Sequence, residues 1–445
     1  MRNETQIARQ KSVKLLFATI FQDAGEATRA LEIAKSLMRH KPQNLDVKII
    51  FLSRGSKFES EAAKSGFEIY KAKPQLSGVG LHQDMKMKPG ELIGDPKLAL
   101  EILKGEIEAY KDINPDFVIH GFWPIGGIAR RMLEKTIPGI CFVPLPLTES
   151  FLDTIQDMPE QMKLSKILLF KLRNKIIRRI PKIIKLRLPL LRHSYIRKAA
   201  QKLGWKKEPL INIFSMLRPD LLLVNDLYEY YAPHKFPDTV RFTGPLFADT
   251  DLNAAVAPAI CDVFKPKNDK LKIFCTLGSS GTKEQLLEVV KVFTQGAGTQ
   301  WNAVILSPKS VCPVWEALAV AKNKEGIYIT DAFVPAKIIN QMADITICHG
   351  GQGTVQTALY SGTPIVGIAT QPEQQMNLDH IASYNAGIRI PVKQWSAQKI
   401  QEAVKLIASN AQYKNNAAKL MAKIKEIDGK QECAKMIWEF ISQRI

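Results

Sequence analysis

The run His349-Gly350-Gly351-Gln352-Gly353-Thr354 sets three glycines, a histidine and a threonine between an apolar stretch and a segment of helical spacing. Gly350, Gly351 and Gly353 allow a tight backbone turn and the close approach of a ligand. Thr354 is expected to cap the following helix, whose unpaired N–H groups and positive dipole end attract phosphate. His349, at the end of the strand, adds a donor for a phosphate oxygen, and a pyrophosphate would fit the loop. A glycine-rich junction alone is a weak sign of phosphate. Downstream stand Glu373, Gln374 and Asn377 in the pattern Glu-Gln-x-x-Asn. A carboxylate beside an amide can accept from and donate to neighbouring hydroxyls.

Such a loop needs a β/α framework, and the chain shows that grammar twice. Its 445 residues exceed what one hydrophobic core usually holds, which predicts two domains. In the first half, strand patterns at 13–20, 46–52, 116–120 and 220–225 alternate with helical patterns at 26–39 and 97–112. In the second, strands are expected at 272–277, 302–307, 327–330, 344–348 and 364–368, and helices at 283–293, 336–342 and 354–361. Residues 248–270, with Pro258 and Pro266 and no strong periodicity, read as a linker. The expected fold class is α/β, with two Rossmann-like, doubly wound β/α/β domains, 1–247 and 271–428, facing a central cleft. A final helix over 429–445 would pack back on the first domain. Ligands of such sheets bind near the C-terminal ends of the strands.

From Ala343 to Gly387 a strand-borne Asp, H-G-G-x-G-T, A-L-x-x-G-x-P, P-E-Q-x-x-N and a terminal A-G follow in order. This constellation resembles the donor-binding region of the family-one glycosyltransferases, the GT-B group of UDP-, sterol- and macrolide-glycosyltransferases. The resemblance implies that His349, Gly350, Gly351, Gly353 and Thr354 hold a nucleotide-sugar diphosphate, and that Glu373 and Gln374, with Asn377 close by, meet the sugar hydroxyls. Gly278-Ser279-Ser280 is similar to the family's G-S loop, so Ser279 and Ser280 would complete the phosphate cradle. The segment Asp331 to Pro335 resembles the one that flanks the base, which assigns Val334 to the donor site. Where relatives carry a ribose-binding Glu, eight residues after the motif His, this chain has Thr357. A UDP-sugar is the favoured donor, and a dTDP-sugar fits as well. Neither metal nor cofactor is expected beyond the nucleotide sugar.

On the opposite wall, Gly25 to Ala34 matches the loop and helix where relatives place Gly-His, which assigns Gly25 to the donor site and puts Glu26 at the position of that His, the general base. A carboxylate can serve as base if burial raises its pKa. Three candidates stand: Glu26, the neighbouring Asp23, and a pair of Glu26 with His120, since Pro115-Asp116-Phe117-Val118-Ile119 resembles the strand after which relatives carry the partner Asp. Glu26 would also suit the first turn of a helix without any catalytic role.

The net charge of +19 is concentrated, because residues 163–207 hold sixteen Lys and Arg and no acid. Apolar Ile167, Leu168, Phe170, Leu172, Ile176, Ile177, Ile180, Ile183 and Ile184 interleave with the cations at helical spacing. The pattern predicts an amphipathic insertion near 160–207, broken at Pro181 and Pro189, that rests on anionic lipid or packs its stripe on the core. The first reading brings a lipid-linked or hydrophobic acceptor to the cleft and a peripheral, cytoplasmic-face location. The six cysteines have no C-x-x-C spacing, in keeping with a reduced compartment. Few aromatics interleave the basic segment, which disfavours nucleic acid. The rival readings are a nucleotide-sugar epimerase, which shares the fold but needs no acceptor, and a non-catalytic membrane-surface protein.

Overall fold

The computed structural model describes residues 11–445 except 57, 168–169, 233, 249–254, 266–269, 279 and 333. Strand β1 (Lys11–Phe17) shows how the first lobe is built. Leu15 and Phe17 enter one apolar layer, with Ala27, Ala30, Ile33, Ala34 and Leu37 of helix α1 (Ala24–Arg39), while Leu16 enters the layer on the other face. Burial on both faces is the mark of a parallel sheet. The sheet runs β3 (Glu68–Lys71), β2 (Leu45–Ser53), β1, β4 (Phe117–His120), β5 (Gly139–Val143), β6 (Leu221–Val224), β7 (Val240–Phe242), and each pairing is parallel.

The second lobe repeats this order as β10 (Ile327–Thr330), β9 (Asn302–Leu306), β8 (Lys272–Thr276), β11 (Ile345–Cys348), β12 (Ile365–Gly367), β13 (Gly387–Arg389), again all parallel. In both sheets the strand order reverses beside the lobe's first strand, between β1 and β4 and between β8 and β11. These switch points open crevices at the carboxyl ends of the strands. Helix α2 (Gln352–Tyr360) follows β11, and α3 (Pro372–Ser383) follows β12. The last helix, α4 (Gly429–Ser442), lies on the first lobe, with Ile437, Trp438 and Ile441 in the same cluster as β1 and α1. Its Trp438 indole donates to the Leu37 carbonyl at 3.3 Å.

Two features differ from the sequence reading, while the basic segment breaks at the prolines as expected. Strands β3 and β7 are short, half-exposed edge strands, and β5 is five buried residues with no alternation, so none of the three has a periodic signature. Within 248–270 a helix forms at Pro258–Val263, and Ile260 and Phe264 are buried against Phe274 and Val304 of the second sheet. The basic segment forms helices at Phe170–Arg179, Lys182–Lys185 and Ser194–Lys202, parted near Pro181 and Pro189. Ile177 is buried, whereas Ile167, Leu172, Ile183 and Ile184 face outward. Leu168 lies outside the described residues. Among those described, no helix is long and apolar enough to cross a membrane.

Candidate active site

Glu26 sits at the switch point of the first sheet, in the first turn of α1. Asp23 caps that helix by accepting from the Glu26 amide at 2.9 Å. The Glu26 carboxylate is buried and turns back over the strand ends, accepting from Ile20 N at 2.7 Å and Phe122 N at 3.1 Å. It fits because residue 121 is glycine: a Cβ there would lie 2.3 Å from the carboxyl carbon. Burial raises the Glu26 pKa to about 7, against the pull of the Ile20 amide. A carboxylate carries about four lone-pair positions, so two remain for an acceptor hydroxyl.

His120 does not join this carboxylate. Its Nδ1 bonds the Gly121 carbonyl at 2.8 Å, its Nε2 is buried without a partner, and burial lowers its pKa to about 4. The expected Glu26–His120 pair is therefore corrected: backbone amides orient Glu26, because the histidine ring lies inside the lobe among the charges of Arg130 and Arg131. Asp23 has a visible structural duty as the helix cap.

The second switch point carries the glycine-rich loop. Gly350 has φ +81°, open to glycine, and a Cβ there would strike the Gln374 carbonyl at 2.6 Å. The His349 ring is wedged between Gly278 and Gly351, with its Nδ1 buried and unpartnered and its pKa lowered by burial to about 4, so the imidazole is neutral. Helix α2 starts one turn earlier than Thr354 requires for a cap. Gly351 holds the cap position with extended backbone and no side-chain cap bond, and Thr354 is the third helical residue. The amides of that first turn have no intrahelical acceptors and are left for a ligand. Gly353 is open, with nothing within 4 Å of a Cβ position. The Thr357 hydroxyl donates back to the Gly353 carbonyl at 2.6 Å.

The acid and amide side chains of α3 divide their work. Gln374 is buried; its Oε1 accepts from Thr370 N at 3.0 Å and Thr370 Oγ1 at 2.9 Å, and its Nε2 donates to Ser280 Oγ at 2.9 Å. The carbonyl oxygen and one of the two Nε2 hydrogens thus tie the β8 loop to the β12 loop, and the second Nε2 hydrogen has no partner among the described residues. Asn377 likewise donates to the Gly350 carbonyl at 3.0 Å and to Glu373 Oε1 at 2.6 Å, which makes it a brace for the loop. Glu373 keeps its second oxygen, and burial raises its pKa to about 7. The Val334 side chain packs in the core beside Ile260 and Phe274. Ser279 lies outside the described residues.

The sequence reading missed what joins the lobes. Asp226, just past β6, accepts at Oδ1 from Gln352 Nε2 at 2.7 Å and Gln356 Nε2 at 3.0 Å, both on α2. Its Oδ2 accepts from Leu145 N at 2.7 Å and Tyr231 Oη at 3.0 Å. The Asn225-Asp226 polar pair at the end of a buried strand was the available signal. Glu26, Gly25 and Asp226 of the first lobe thus face Glu373 and the α2 N-terminus of the second. Among the described residues, no group of three His, Cys, Asp or Glu could hold a metal.

Residues 320–440 match the family described as the Erythromycin biosynthesis protein CIII-like C-terminal domain. A PGL/p-HBAD biosynthesis glycosyltransferase of Mycobacterium tuberculosis is 27% identical over 218 residues, 49% of this chain and 46% of that one. The chain thus spans about half the length of that curated relative. The NDP-glycosyltransferase YjiC of Bacillus subtilis is 22% identical over 352 residues, 78% of each chain. The solved kitacinnamycin glycotransferase superposes with a TM-score of 0.67 over 97% of this chain and 99% of its own, at 15% identity. The chain thus has the GT-B fold, and the relatives it is similar to are named glycosyltransferases.

Proposed function

We propose that the protein transfers a hexosyl group from a nucleotide sugar, a UDP-sugar or dTDP-sugar, to a hydroxyl of a lipid or other hydrophobic acceptor, with inversion. The observation that carries this reading is Glu26: a buried carboxylate with a pKa of about 7 at the switch point of one lobe, facing the α2 N-terminus at the switch point of the other. The diphosphate sits on the amides of 352–354, with His349 as a neutral neighbour, and Glu373 meets the sugar hydroxyls. The acceptor oxygen attacks the anomeric carbon from the face opposite the diphosphate. Its proton passes to Glu26, the bond from carbon to the diphosphate oxygen breaks, and the nucleoside diphosphate leaves. The relatives' printed names, a glycosyltransferase of PGL/p-HBAD biosynthesis and an NDP-glycosyltransferase, support a sugar transfer of this kind.

The acceptor class rests on the basic insertion. Ile167 is 80% exposed and Ile183 64%, among outward-facing Lys175, Arg178, Arg179 and Arg187. Apolar side chains ringed by cations suit an anionic lipid surface. Some of the cations are used internally: Arg173 pairs with Asp157 at 2.6 Å, and Lys185 donates to the Leu152 carbonyl at 2.9 Å. The surface is therefore narrower than the whole segment. The protein works at the cytoplasmic face of a membrane in this reading.

Thermal shift with UDP, dTDP and ATP tests the donor side. UDP or dTDP should raise the melting temperature while ATP does not; no shift with either of the first two removes the donor assignment. Co-sedimentation with phosphatidylglycerol vesicles tests the acceptor side. Ile167→Ser with Ile183→Ser should release the protein to the supernatant, and retention would remove the membrane reading.

A further inference from the structure

Arg29 lies on α1, one turn beyond Gly25, and its guanidinium folds back over that glycine. A Cβ on Gly25 would come within 3.3 Å of Arg29 Nη1. This is the direction helical side chains take, toward the preceding turn. The Arg29 Nε is buried and has no hydrogen-bond partner, and among the described residues the guanidinium forms no ion pair. Yet it is surrounded by acids: its charge acts on Glu26, Asp226 and Glu373, on both sides of the cleft.

Each of those carboxylates has other partners. Glu26 accepts from two backbone amides, and Asp226 from Leu145, Tyr231, Gln352 and Gln356. Glu373 accepts from Asn377, and Asp23 from the Glu26 amide. Among the described residues, a guanidinium fork is thereby held in the cleft with its buried Nε–H unspent on protein. Burying part of a cation without a partner is costly, and an anionic ligand would supply the missing acceptors.

Its neighbours say which part of the ligand it meets. Asp226 grips Gln352, the first residue of α2, and Glu373 is tied through Asn377 to the carbonyl of Gly350. Arg29 therefore faces the 349–354 loop from the acceptor lobe. We propose that Arg29 donates to the β-phosphate of the nucleotide sugar and neutralises the charge that gathers there as the anomeric bond breaks. The inference rests on the donor site proposed above. Arg29 moves no proton, since a guanidinium stays charged; the proton remains with Glu26. Gly25 then matters because a side chain at that position would crowd both the guanidinium and the Asp23 carboxylate.

The test uses the full chain and calorimetric binding of UDP, dTDP, UMP and dTMP. Arg29→Met should weaken UDP or dTDP binding about 10- to 100-fold, the range for a charged hydrogen bond, and leave UMP and dTMP within about twofold. Arg29→Lys should recover part of the loss and controls for folding. If the preference of the wild-type protein for diphosphate over monophosphate survives in Arg29→Met, or if both classes weaken equally, the assignment of Arg29 is overturned. If the wild-type protein binds neither UDP nor dTDP, the donor site itself fails, an outcome distinct from failure of Arg29 alone.

Discussion

Glu26 carries its charge against burial, so its proton-accepting form fills only as pH climbs through about 7. The sign follows directly: below that value the carboxyl is protonated and cannot take the acceptor's proton. The kcat/KM profile should therefore fall about tenfold per pH unit on the acid side of roughly 7, and Glu26→Asp should change that limb. A flat profile from pH 5 to 8 removes Glu26 as base. The neighbouring glycine gives an independent check. In Gly121→Ala the new methyl would sit 2.3 Å from the Glu26 carboxyl carbon, forcing the acid off its two amides. Turnover should drop at least about tenfold, and denaturant unfolding should show a loss of about 1–3 kcal/mol, as overpacking in a tight site costs.

At the scale of elements, the proposed donor site is a strand-to-helix loop braced by a second helix. Gln374 ties Ser280, 94 positions away in sequence, to Thr370. Gln374→Ala should weaken nucleotide binding about tenfold by loosening the β8 loop, with little change in the preference among UDP-sugars. A changed sugar preference at full nucleotide affinity would place Gln374 on the sugar. This element also shows where sequence reasoning stops. The glycine loop, its strand and its helix were legible because glycine spacing and apolar runs are local properties. That Gln374 also braces the scaffold was not, since its partners are set by tertiary contact. The cap of α2 at Gly351 and not at Thr354 was missed for a similar reason: the cap residue contributes only backbone. The Pro258–Val263 helix is too short to show periodicity and owes its place to Ile260 and Phe264 packing on the second sheet.

Across the whole molecule, the lobes are fastened by a buried ionic cluster on the far side of α3. Arg389 pairs with Asp157 at 2.8 Å and Asp379 at 2.5 Å, and also with Glu160, while Arg173 holds Asp157 from the other side. Arg389→Met would leave these acids short of a cation, and breaking a buried pair from one side typically costs about 3–5 kcal/mol, measurable by urea unfolding. Wild-type stability in that variant would mean the cluster is not a fastening. The two parallel sheets were readable from alternating strand and helix patterns; this clasp was not, because Asp157 and Arg389 meet only once both lobes are folded. The cleft the clasp closes is where the central claim applies: an acid at residue 26 drives sugar transfer to an acceptor. The direct measurement is nucleoside-diphosphate release from a panel of UDP- and dTDP-sugars, with and without total lipid extract, for wild-type protein and Glu26→Gln. Wild type should release nucleotide only when acceptor is added, and Glu26→Gln should bind the same nucleotide but turn over at least about 100-fold more slowly. Undiminished turnover by Glu26→Gln, or conversion of the donor sugar without any acceptor, would contradict the account.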